Sequence, residues 1–167
     1  MAVSLCLREG IDTERGRAAG LAHDMCKEMP EHTQREFAAL YSAAEQGSSA
    51  TSALMADKVV HGPAAAGFLM KEYVLVDAAV LEAVALHTVG RPGMGNLATI
   101  LYCADKLESG RERLGDDYRL RCLAMPLEKM LLSVVEGVVG WMKEQGRPIA
   151  PETIFLYSSL VREADPR

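Results

Sequence analysis

Residues 20–30 read GLAHDMCKEMP and set a histidine and an aspartate side by side inside an apolar, helical pattern. An imidazole and a carboxylate are costly to bury unless a charged or hydrogen-bonding group receives them. Lys27 follows His23 at helical spacing, so all three can belong to one polar pocket. The groups that receive His23 and Asp24 have to come from elsewhere in the chain.

Outward from this stretch the periodicity is helical throughout. Asp12 is placed to cap a helix over 13–28, with Pro30 just beyond its end. Upstream, residues 2–9 read as the last turns of a helix that opens inside an apolar pattern without an N-cap, and Gly10 ends it. Downstream, Thr33 is expected to cap a helix over 33–45, and a short helix is expected at 52–58. Residues 62–72 and 77–87 form a helical pair. Asn96 is expected to cap a helix across 97–108, on which Leu97, Ile100, Leu101, Ala104 and Asp105 share one side. Further helices fall at 117–124, 126–144 and 151–161. Pro126 is expected at the first helical position, and Gly146 and Pro148 end that helix. No segment alternates like a strand. The fold class is therefore all-α, with about seven or eight helices.

Composition agrees. The chain has 167 residues, the size of one ordinary domain, and 49% of them are apolar. Aromatics are few and Ala, Leu, Val and Met abundant, which favours packed helices. The formal net charge of −5 gives no general nucleic-acid or membrane surface. The four cysteines form no C-x-x-C pair and lie in or beside apolar runs, as core thiols of a reduced, cytoplasmic protein do. The apolar run 131–142 is interrupted by Glu136 and too short to span a bilayer. The Val/Met stripe of 130–142 reads as core, with a homodimer face as the lesser option.

Three of the four histidines have unusual company. His23 precedes Asp24; His61 opens HGPAAAGFL; His87 closes an apolar helix as ALHTVGRPGM. Asp105, in LYCADKLESGR, is an aspartate on an apolar helix face. His32 lies in a polar loop after Pro30 and reads as solvated. Taken singly, each has an ordinary explanation. A buried histidine is usually just hydrogen-bonded, Asp24 could pair with Lys27, and Asp105 could pair with Lys106 or Arg111. Together, in this order, they suit a divalent ion such as Fe, Mn, Co or Zn. The absence of thiolates argues against a structural zinc knot. Adjacent ligands on one helix do not share a face well, so His23 would serve one metal while Asp24 bridges two.

The order H-D … H … H … D resembles the HD-domain superfamily of metal-dependent phosphohydrolases, and within it the YqeK-type symmetrical diadenosine tetraphosphatases. The stretches that carry the resemblance are AAGLAHDMCKEMP, HGPAAAGFLMKEY, LEAVALHTVGRPGM, ILYCADKLESGR and KEQGRPIAPETI. They span about residue 10 to residue 155. The resemblance implies one HD domain over 1–167, an all-helical fold and one or two divalent ions, usually iron, with Mn, Co, Mg or Zn as alternatives. The ligands it implies are His23, Asp24, His61, His87 and Asp105. The reaction it implies is hydrolysis of a small-molecule nucleotide, diadenosine tetraphosphate, to two ADP. Asp24, Lys27 and Arg91 would act in catalysis. Lys27, Arg91, Gly93 and Arg111 would receive the polyphosphate, whose charge requires converging donors. Arg147, in a second GRP, reads as a helix stop. Members of this branch carry one more histidine before the His-Asp pair; none precedes His23 here, so one metal position is expected to lack a protein ligand. Other nucleotides, or binding without turnover on the same scaffold, are the competing readings.

Overall fold

The computed structural model describes residues 1–45, 59–109 and 115–164. Among them run nine α-helices and no strand: α1 Ala2–Arg8, α2 Thr13–Ala22, α3 Glu31–Ala44, α4 His61–Glu72, α5 Ala78–Leu86, α6 Asn96–Lys106, α7 Asp116–Leu123, α8 Leu127–Glu144 and α9 Pro151–Ala164. The all-helical expectation holds. The helix expected at 52–58 and the substrate role expected of Arg111 lie outside the described residues.

Two aspartates cap helices, and the first, Asp12, is the cap expected from the sequence. Asp12 accepts from Glu14 N at 2.8 Å at the start of α2. Asp77 accepts from Ala79 N and Val80 N at 3.1 and 3.2 Å at the start of α5. Asp77 also takes Arg15 Nε at 2.8 Å, so one carboxylate caps α5 and ties it to α2.

Several helix starts and ends differ from expectation, four of them as follows. The helix expected over 13–28 stops at Ala22, and the chain continues through hydrogen-bonded turns. Helix α3 starts at Glu31, so Thr33 lies inside it. Pro30, with φ −53°, already holds the backbone geometry of the entry, and Gln34 donates to Lys27 O and Met29 O at 3.2 and 2.8 Å. Asn96 is the first helical residue rather than the cap; Gly95 takes the cap position, and its N–H donates to Glu82 Oε2 at 3.1 Å. Pro126 is the N-cap of α8 rather than its first helical residue. Of these four, only at the start of α6 does a side chain from another helix, Glu82, take a backbone N–H at the cap.

Helix α3 lies on α4, α4 on α5, and α5 on α6; α2 packs across α5 and α6, and α8 joins α6 to α9. Ile100, Tyr102 and Leu107 of the α6 segment meet Met130, Val134 and Val135 of α8 and Leu156 of α9 in a fully buried core. Each such side chain contributes about 1.5–3 kcal/mol when buried. The stripe of α8 is core over Met130 to Val139, whereas Val138 and Met142 are only half-buried. In α1, Ala2, Leu5 and Cys6 are buried and Leu7 is exposed. Among the described residues no helix is long and apolar enough to cross a membrane.

One close approach decides where the site forms. A Cβ on Gly62 would stand 2.7 Å from Ala85 O, so glycine lets the start of α4 press against the end of α5. That contact brings His61, the first residue of α4, to His87, which follows α5.

Candidate metal centre

After Ala22 the backbone hydrogen bonds step three residues instead of four: Met25 N to Ala22 O, Lys27 N to Asp24 O and Met29 N to Cys26 O. The tightened winding turns neighbouring residues through a different angle than an α-helix does. His23 and Asp24 thereby reach one cluster although adjacent in sequence. His61 joins from α4, His87 from the end of α5, and Asp105 from the last turn of α6.

Asp24 Oδ1 lies 3.2 Å from His61 Nε2 and 3.4 Å from His87 Nε2. The two imidazole Nε2 atoms are 3.1 Å apart. His23 Nε2 lies 3.8 Å from Asp24 Oδ2 and 3.9 Å from Asp105 Oδ1. Metal–ligand bonds of about 2.0–2.2 Å put the donors of one ion roughly 3–4 Å apart, the range these pairs occupy. His23, Asp24 and His87 can each offer one donor atom with all three within 4.8 Å of one another.

The hydrogen bonds behind the rings fix which nitrogen faces inward. Nδ1 of His23 donates to Gly20 O, and Nδ1 of His87 to Val84 O, each at 2.8 Å. A carbonyl only accepts, so the proton of each neutral ring sits on Nδ1 and the Nε2 lone pair points into the cluster. Lone pairs and carboxylate oxygens then converge on one another at little more than 3 Å. Such an arrangement needs a cation among them, a proton or a metal ion, and its nitrogen and oxygen donors suit a borderline divalent metal. With a proton on His87 Nε2, its hydrogen bond, with Lys27 and His23 adding to it, holds the Asp24 carboxyl well below the ordinary carboxylate range; burial pulls the other way and loses. Asp24 therefore stays an anion, as a ligand must. On the side of His23 and Asp105 the cluster opens into a cavity of about 400 Å³ that Gly20, Leu101, Ala104 and Glu108 also line.

Comparison with known proteins agrees with this geometry. No family model matches the chain. It is 26% identical over 160 residues to the symmetrical bis(5'-nucleosyl)-tetraphosphatase of Bacillus subtilis (strain 168), an alignment covering 96% of this chain and 83% of that protein. The enzyme of the same name from Halalkalibacterium halodurans is 26% identical over 162 residues, covering 97% and 84%. The crystal structure of a predicted HD superfamily hydrolase involved in NAD metabolism, from Clostridium acetobutylicum, matches with a TM-score of 0.75 at 27% identity, covering 97% of this chain and 84% of that one. In sequence and in fold this chain is similar to YqeK-type HD-domain hydrolases. An HD-domain hydrolase fold implies a divalent metal, and the His/Asp group described above is able to hold one.

The remaining sequence-derived positions fall in different places. Lys27 is half-exposed at the edge of the cluster and donates to Asp24 Oδ2 at 2.7 Å. Arg91 donates to Glu82 Oε1 at 2.9 Å and lies 3.9 Å from Glu45. With Gly93, Arg91 lines a second hollow of about 430 Å³ between the GRPG loop, α8 and α9; its described lining includes none of the five clustered residues. The pairing of Asp105 with Lys106, the ordinary explanation of Asp105 in sequence, is present at 2.8 Å, but through Oδ2, while Oδ1 faces His23.

Three contributors are not legible in the sequence. Thr88 Oγ1 lies 3.1 Å from His87 Nε2 and 3.3 Å from His61 Nε2. Glu82 holds both Arg91 and the start of α6. Lys106 donates to the carbonyl of His87. The available signal was position: Thr88 and Lys106 each follow a candidate ligand directly.

Proposed function

We propose that this HD-domain hydrolase cleaves diadenosine tetraphosphate symmetrically to two ADP, with one or two divalent ions, iron first among them, held by His23, Asp24, His61, His87 and Asp105. The observation that carries the reading is the convergence of Nε2 atoms and carboxylate oxygens from α4, α5, α6 and the turn after α2, at 3.1–3.9 Å. The names of the Bacillus subtilis and Halalkalibacterium halodurans relatives support the substrate. Ions bound there would lower the pKa of a coordinated water to near neutrality and polarise the phosphoryl group under attack.

The chain's own residues supply the rest. Carbonyls of Gly20 and Val84 orient the rings of His23 and His87. Asp24 stays ionised between the histidines. Lys27, at the exposed rim, is placed to meet a phosphate oxygen in exchange for Asp24. Arg91 and Gly93 serve the polyphosphate farther out, and Glu82 holds the guanidinium until substrate arrives. All four cysteines are free and buried, which supports a reducing, cytoplasmic setting.

Chromatography of the products from diadenosine tetraphosphate, with metal analysis of freshly purified protein, tests the reading. ADP as the sole product, with bound iron or manganese, is expected. ATP plus AMP would overturn the symmetrical cut. Turnover of mononucleotides but not of the dinucleotide would assign a different substrate on the same scaffold.

A further inference from the structure

Lys106 is 6% exposed, although a lysine is almost never buried without partners. Its ammonium donates to His87 O at 2.9 Å and to Asp105 Oδ2 at 2.8 Å, and lies 4.6 Å from the Tyr102 ring centroid. These contacts tie together two elements. His87 follows α5, where the last carbonyls of a helix lack intrahelical partners, and Lys106 satisfies one of them from α6. The same ammonium holds one oxygen of Asp105 and so leaves the other, Oδ1, turned toward His23. A solvated lysine would do neither.

We propose that Lys106 is a positioning residue of the metal centre: it fixes the backbone of His87 and the aim of the Asp105 carboxylate, and so sets the spacing of ligands that come from separate helices. The inference rests on the metal reading above and deepens it. Lys106 acts through His87 and Asp105 and needs no contact with metal or substrate. Groups that orient a ligand from behind typically change metal affinity or activity about 10–100-fold when removed.

The test compares Lys106→Met, which keeps the buried stem but removes charge and donors, with Lys106→Gln, which keeps a shorter donor. Manganese affinity is measured on the full chain by titration, helical content and melting by circular dichroism, and kcat and KM with diadenosine tetraphosphate. Lys106→Met is expected to keep the parent's helical content and to bind Mn²⁺ about 10–100-fold more weakly, with the loss in kcat rather than KM, and Lys106→Gln to recover part of the affinity. A purely structural lysine would lower the melting temperature and leave Mn²⁺ affinity within about twofold of the parent, and that result overturns the proposal. Should Lys106→Met not fold, parental affinity in Lys106→Gln overturns it equally. A parent chain that binds no Mn²⁺ would instead sink the metal reading and this inference with it.

Discussion

Replacing Gly62 with alanine tests whether the spacing of His61 and His87 governs the centre. The new Cβ would meet Ala85 O at 2.7 Å, Val84 O at 3.2 Å and His87 Nδ1 at 3.3 Å. Ordinary contact begins at 3.4 Å, so about 0.7 Å of relief has to be found at the nearest atom. Two of the three obstacles are backbone carbonyls of α5, which cannot rotate away as a side chain would. Overpacking on this scale costs about 1–3 kcal/mol. Alanine's better helix propensity returns up to about 1 kcal/mol. A net loss of about 1–2 kcal/mol remains, which in a chain of this size lowers Tm by about 2–8 °C. The movement that relieves the clash also opens the 3.1 Å contact between His61 and His87. A misplacement of about 1 Å can cost 100-fold in rate, so a shift somewhat smaller predicts roughly a tenfold loss in kcat and weaker metal binding. Gly93→Ala is the control: its φ of +71° strains a side chain, but no atom lies within 4 Å. That variant should lose about 1 kcal/mol and keep its metal affinity. Thermal melts and manganese titration of both proteins decide the matter. Parental Tm and parental affinity in Gly62→Ala would refute the spacing argument.

His87→Ala and Asp105→Ala should each abolish metal binding and hydrolysis while circular dichroism still reports a helical protein; near-normal activity with normal metal content in either would remove that residue from the ligand set. Arg91→Ala should raise KM about tenfold and leave metal content unchanged, since the contacts described for Arg91 are with Glu82 and Glu45; loss of metal would make it a structural residue instead. Burial pushes the Cys103 thiol from 9.0 to about 12 and the Cys26 thiol to about 11. The folded protein thus holds these protons more tightly than the unfolded chain, so the stability they contribute is intact below pH 9 and is lost as pH rises toward 11–12. Denaturant melts across that range measure the decline, and a flat profile would contradict it; at pH 8 a thiol reagent should find no fast-reacting cysteine until guanidinium exposes all four.

The sequence by itself determined the helical class and the identity of the clustered residues. Apolar spacing at three and four residues is a local property, so it survives without knowledge of neighbours. The order of His23, Asp24, His61, His87 and Asp105 is likewise readable because imidazoles and carboxylates are out of place in apolar helices. Helix entries were less legible. Thr33 and Asn96 have good capping side chains, yet Thr33 lies inside α3 and Glu82 takes the N–H of Gly95 at the start of α6, and nothing local announces either. Arg91 gave no sign that Glu82 would hold it. Only the tertiary structure decided how the adjacent His23 and Asp24 share one site: the chain leaves the α-helix at Ala22 and winds through three-residue steps. Only it showed Thr88 between two imidazoles and Lys106 beneath His87. Such contacts depend on where α5 ends against α4 and α6, and that is set by packing of whole helices, through close approaches such as the one Gly62 allows, rather than by any neighbour in sequence.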